Sequence, residues 1–79
     1  MNNNQIIVKG IERKDIAKRL RELRKAKGLK RKELAELLYI SQAGYGSYEN
    51  GRALVTTESV IRLADFYKCS TDYILCRLN

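Results

Sequence analysis

Residues 30–51 read KRKELAELLYISQAGYGSYENG, and the fold turns on how this stretch is read. Leu34, Ala35 and Leu38 recur at helical spacing, so a short amphipathic helix is expected from about Arg31 to Leu38. Ser41 follows the apolar Ile40, and its side-chain oxygen can accept from an amide two or three residues later, which marks a second helix start. That helix should run to about Asn50. Gly51 then supplies a residue free to take positive φ at the helix terminus. Two short helices broken by a tight turn make a helix-turn-helix.

Upstream, Ile16, Leu20 and Leu23 share one face with Ala17 beside them, which predicts an amphipathic helix from about Glu12 to Lys27. Gly28 ends it, and Leu29 should tuck back toward the core. Downstream, Arg52 to Val55 reads as a loop and Thr56 as the cap of a fourth helix. Its buried face is expected to be Val60, Ile61, Leu63, Ala64 and Tyr67. Ser70 caps a last short helix with Tyr73, Ile74 and Leu75 as packing residues. The segment at 1–10, MNNNQIIVKG, is polar apart from Ile6, Ile7 and Val8 and reads as a flexible N-terminal segment ahead of a domain at 11–79. Its functional alternatives are a basic arm following a groove or a short strand pairing in a dimer.

Seventy-nine residues suffice for one domain with a modest core, and the absence of proline with 44% hydrophobic residues suits a compact all-α unit. Twelve of the sixteen basic residues but three of the nine acidic ones fall in the first 32 positions, within an overall charge of +7. Such a concentration attracts polyanions, nucleic acid foremost; the plainer alternative is a solvated lysine and arginine face. No apolar run approaches the ~18 residues of a membrane span, so a cytoplasmic protein without membrane association is expected. There is no histidine, and Cys69 and Cys76 alone make no zinc set, so no metal or cofactor is expected. With no glycine-rich phosphate loop and no distinct carboxylate pair, an enzyme is the least supported class.

The strings LRKAKGL, LAELLYIS, YENGR and LADFYKCSTDYIL resemble the lambda-repressor-like (Cro and xenobiotic-response-element type) helix-turn-helix DNA-binding family, over about Ile16 to Cys76. The resemblance implies a compact five-helix domain. It also implies a sequence-specific transcriptional regulator, a repressor reading the major groove of double-stranded DNA as a dimer on a palindromic operator. The alternative is an antitoxin or other interaction module that grips a protein partner as well as DNA. A homodimer is expected through the C-terminal helix region, where Phe66, Tyr73, Leu75 and Leu78 leave apolar area. The chain departs from the family pattern in four places, the first of them a pair of neighbouring residues. Lys30 and Arg31 replace a small cap and a glutamine, Tyr39 stands where glycine is usual, Val55 replaces a frequent proline, and Cys76 a frequent glycine. Cys69 takes the place of a buried valine and reads as a small core residue.

In such a motif the second helix presents its first turns to base edges. Gln42 is the leading candidate for base contact, because its carboxamide matches the N6 and N7 pair of adenine. Ala43 can touch a thymine methyl, and Ser47 a base or phosphate. Backbone contacts are expected from Lys30, Arg31, Lys32, Ser41, Tyr48, Asn50 and Arg52, with plain surface solubility the competing explanation for Lys32 and Arg52. Tyr45 and Tyr48 are spaced for core packing. The resemblance pairs Glu49 with Arg24, an ion pair fixing the recognition helix on the first helix. Gly44 and Gly46 either bring the backbone close to DNA or are merely tolerated weakness.

Overall fold

The computed structural model describes residues 10–77. The N-terminal segment before Gly10, with Ile6 to Val8, and Leu78 lie outside the described residues. The described chain forms five helices: α1 Arg13–Ala26, α2 Arg31–Leu38, α3 Gln42–Glu49, α4 Thr57–Tyr67 and α5 Thr71–Ile74. α3 lies against both α1 and α2, while α5 packs on α4 and touches α1. At the centre Ile16, Leu20, Leu34, Leu63, Ile74 and Tyr45 are essentially inaccessible to solvent.

Helix starts follow the side-chain oxygens. Ser41 Oγ accepts from the Gly44 amide at 2.9 Å, Thr56 Oγ1 from Ser59 at 3.2 Å and Ser70 Oγ from Tyr73 at 3.0 Å. α2 begins differently. Lys30 has no lone pair to offer an amide, so only the reverse bond forms, the Lys30 amide donating to Glu33 Oε1 at 2.8 Å.

The helix ends share one device. Each of the five helices closes with a residue in the left-handed region: Gly28, Tyr39, Gly51, Lys68 and Cys76, with φ between 57° and 78°. The amide after each donates to a carbonyl five residues back, as in Leu29 to Arg24 (3.1 Å) and Arg77 to Asp72 (2.8 Å), satisfying carbonyls that the helix leaves open. At three of these ends the next residue, Leu29, Ile40 or Cys69, folds back onto the core. Cys69 is thus a half-buried packing residue, and burial raises its thiol pKa. The positive φ of Tyr39 and Cys76 explains why glycine suits both positions.

One face of α4 differs from expectation. Ile61, expected inside, is 50% exposed, because nothing in the described chain covers that flank of α4. With Ile11 and Leu54, each 47% exposed, it borders a shallow apolar groove floored by Val55, Val60 and Leu75.

Lys68 is exposed and in the left-handed region without being glycine. That conformation costs a side-chain-bearing residue ~1–2 kcal/mol, partly offset in a glycine variant by greater unfolded-state freedom. Lys68→Gly should therefore raise stability by about 0.5–1 kcal/mol in thermal denaturation. A lowered melting temperature would count against the strain.

Candidate nucleic-acid interface

The geometry of α3 is set from its far end. Glu49, its last residue, is 1% exposed and accepts four hydrogen bonds. Arg24 of α1 grips it with two donors, Nε to Oε2 at 2.7 Å and a terminal nitrogen to Oε1 at 3.0 Å. Arg31 of α2 donates from Nε to Oε1 at 3.1 Å, and the Tyr45 hydroxyl to Oε2 at 2.6 Å. Arg24 also donates to the Leu29 carbonyl at 3.0 Å, and Arg21 to the Glu49 carbonyl. A single carboxylate therefore ties α1, α2 and α3 together.

Burial alone would raise the Glu49 pKa, but the hydrogen bonds from Arg24, Tyr45 and Arg31 outweigh it and hold the carboxyl below its usual range. The same bond with Glu49 pushes the Arg24 pKa up. Tyr45, desolvated and bonded to a carboxylate, has its phenol pKa raised as well. Tyr67 is pushed up to about 12, by burial first and then by the charge of Glu49. Its buried hydroxyl finds no partner among the described residues.

The opposite end of α3 is open. Ser41, Gln42 and Ala43 are exposed, and so are Lys30, Arg31, Lys32, Asn50 and Arg52. Ser47 is half-buried, and its hydroxyl donates to the Gly44 carbonyl at 2.6 Å, which leaves its oxygen lone pairs for an incoming donor. Tyr48 is buried at 8% exposure, its ring edge-on to Tyr45 with centroids 6.4 Å apart. Asn50 Oδ1 accepts from the Arg52 amide at 3.1 Å, which shapes the chain leaving the helix. The two glycines differ. A Cβ on Gly44 would lie 3.2 Å from Ser41 Oγ and crowd the cap, whereas one on Gly46 would meet nothing within 4 Å.

Beyond Arg24, whose pairing with Glu49 was expected, two α1 arginines counted with the polyanion-attracting residues, Arg19 and Arg21, also turn inward. Arg21 and Arg24 hold α3, and Arg19 stacks 3.8 Å over the Tyr73 ring while donating to the Tyr73 carbonyl. Sequence reasoning missed Arg21 and Arg31 as partners of Glu49, and also the Tyr45 hydroxyl. For Tyr45 the i,i+4 spacing to Glu49 was an available signal. No group of metal-ligating side chains occurs among the described residues, nor a helix long and apolar enough to cross a membrane.

The sequence model of the helix-turn-helix family matches residues 20–74. Among curated proteins, the uncharacterized HTH-type transcriptional regulator YobD of Bacillus subtilis is 42% identical over 57 residues, 72% of this chain and 51% of that protein. The chain spans about half the length of the curated relatives it matches. Among solved structures, a transcriptional regulator from Listeria innocua superposes with a TM-score of 0.77 at 31% identity, over 81% of this chain and 60% of that one. The restriction-modification controller protein C.AhdI from Aeromonas hydrophila gives 0.70 at 31% identity, over 78% of this chain and 94% of its own. These are regulators rather than enzymes.

A buried carboxylate whose pKa is depressed on folding contributes stability that is complete above the unfolded carboxylate pKa and is lost as pH falls through the folded value. Stability should therefore drop on acidification below ~4.5, and Glu49→Gln should flatten that acid limb in denaturant titrations. Glu49→Ala, which strands Arg24, should cost about 3–5 kcal/mol at neutral pH. Full retention of stability by Glu49→Ala would contradict the assignment.

Proposed function

The chain belongs to the helix-turn-helix family of DNA-binding transcriptional regulators, and from that premise we propose that it is a repressor acting in the cytoplasm by occupying a palindromic operator as a homodimer. The observation that carries this reading is the exposed Ser41–Gln42–Ala43 edge on a helix whose other end is locked to two neighbours by Glu49. A helix so fixed enters the major groove at a defined depth and angle. Gln42 then reads adenine through its carboxamide, Ala43 lies against a thymine methyl, and the Ser47 oxygen accepts from a base donor or a bridging water. Lys30, Arg31, Lys32 and Arg52 neutralise phosphates on either side, with Ser41, Tyr48 and Asn50 as uncharged backbone partners.

Dimerisation is supported by the apolar flank of α4. Ile11, Leu54 and Ile61 stand exposed beside Leu75, an apolar patch of the kind that two copies can bury against each other across a two-fold axis. This face joins α4 to the C-terminal helix region, where the Tyr73 ring is covered by Arg19. One recognition helix reads few base pairs, so pairing two is what brings useful selectivity. Similarity to a restriction-modification controller, of which this chain covers 94%, supports control by occupancy. An antitoxin role would instead be seen as a second protein copurifying on the same α4 face.

Selection of binding sites from random duplex DNA tests the whole reading. Inverted half-sites about 10–11 base pairs apart are expected, each with an adenine that loses importance in Gln42→Ala. Enrichment of no sequence, or of single unrepeated half-sites, contradicts it.

Gly46 has room for a side chain within the protein, and glycine in a helix interior costs ~1 kcal/mol relative to alanine. We take close approach of DNA as its reason. Gly46→Ala should raise thermal stability by about 0.5–1 kcal/mol while weakening binding to the selected site. Unchanged affinity would reduce Gly46 to a tolerated weakness.

A further inference from the structure

Glu49 faces two guanidinium groups, and they are not equivalent. Arg24, held by two bonds and with its side chain 12% exposed, suffices to neutralise the carboxylate inside the protein. Arg31 adds a second cation through Nε alone, and its side chain is 54% exposed. The cluster thus carries one positive charge in excess, on its solvent side. A guanidinium has five N–H donors, and the other four of Arg31 have no acceptor among the described residues.

The setting of Arg31 sharpens the point. It is the first residue of α2, between Lys30 and Lys32, and Glu33 supplies the one acidic side chain in that turn. Cations at the positive end of a helix repel both the dipole and one another, so this arrangement is not one that folding alone favours. An anion placed there relieves it. An arginine left free would lose several rotamers on gripping such an anion, whereas one already pinned at Nε has its fork aimed in advance.

We propose that Glu49, although buried, is a positioning residue for DNA binding: it holds Arg31 by Nε so that the guanidinium's outer N–H groups are aimed at a backbone phosphate of duplex DNA. Tyr45 and Arg24 serve the same end by fixing the carboxylate. The device depends on arginine at position 31, since a lysine ammonium cannot be held by one nitrogen while presenting a planar pair of donors with others. It rests on the DNA-binding reading above and adds how a residue out of contact with DNA sets affinity.

The test is fluorescence anisotropy with a labelled mixed-sequence duplex of about 24 base pairs, titrated over a range of salt with folding checked by circular dichroism. Wild type is compared with Arg31→Lys, Arg31→Ala, Glu49→Gln and the Arg31→Lys/Glu49→Gln pair. Arg31→Ala should lower the slope of log affinity against log salt by about one. Arg31→Lys should keep the wild-type slope yet bind about fivefold weaker. In the Glu49→Gln background the Arg31→Lys penalty should shrink, because one neutral amide oxygen, contested by Arg24 and Tyr45, holds Arg31 Nε more weakly than a carboxylate does. Wild-type affinity in Arg31→Lys overturns the proposal, as does an undiminished penalty in the Glu49→Gln background. Should Glu49→Gln not fold, the Arg31→Lys comparison in the wild-type background carries the test by itself, and wild-type affinity there overturns the proposal. A wild-type protein that binds no duplex instead overturns the DNA-binding reading itself.

Discussion

The structure depends on one buried negative charge kept ionised. A carboxylate taken out of water is strongly destabilising unless hydrogen bonds and opposite charge replace its hydration. Glu49 receives both, from a bidentate Arg24, from Arg31 and from Tyr45. Those donors come from different helices, so satisfying the charge also fixes α1, α2 and α3 in register. Apolar side chains such as Leu20 and Leu34 provide burial, but burial is non-directional and tolerates small slips of one helix over another. The four hydrogen bonds do not, and it is orientation rather than stability alone that a DNA-reading helix needs.

Local chemistry explains which parts of the fold were readable. Starts of α3, α4 and α5 were plain, because Ser41, Thr56 and Ser70 carry the oxygen that a first turn requires. Ends were readable at Gly28 and Gly51. Tyr39 and Cys76 were noticed only through the family resemblance, and Lys68 not at all, since its side chain says nothing of a left-handed backbone. Ile61 shows a different limit. Helical periodicity marks an apolar stripe, but not whether another element covers its whole width.

The candidate interface divides in the same way. Gln42, Ala43 and the basic residues flanking α3 are exposed, as their sequence positions implied. Glu49 and Arg24 came from the resemblance, because an acid late in a helix otherwise reads as solvated surface. What composition could not reveal was the division of labour among cations. A cluster of lysines and arginines is one number in a charge count, yet Arg19, Arg21 and Arg24 bind helix ends and a carboxylate, while Lys30 and Lys32 remain in solvent. Arg31 stands between these groups, with one nitrogen on Glu49 and about half of its side chain in solvent. Tertiary placement, not residue type, decides which charges hold the protein together and which stay exposed.

The most direct measurement of the central claim is a titration of the selected operator duplex into isotopically labelled protein, followed residue by residue by nuclear magnetic resonance. An anchored α3 that presents its leading turn should show the largest shifts at Ser41, Gln42, Ala43 and Ser47 and at the Lys30–Lys32 and Arg52 amides, with Tyr45 and Leu20 little changed. Shifts concentrated on α4 and α5, or spread through the core as though α3 had come loose from Glu49, would contradict it.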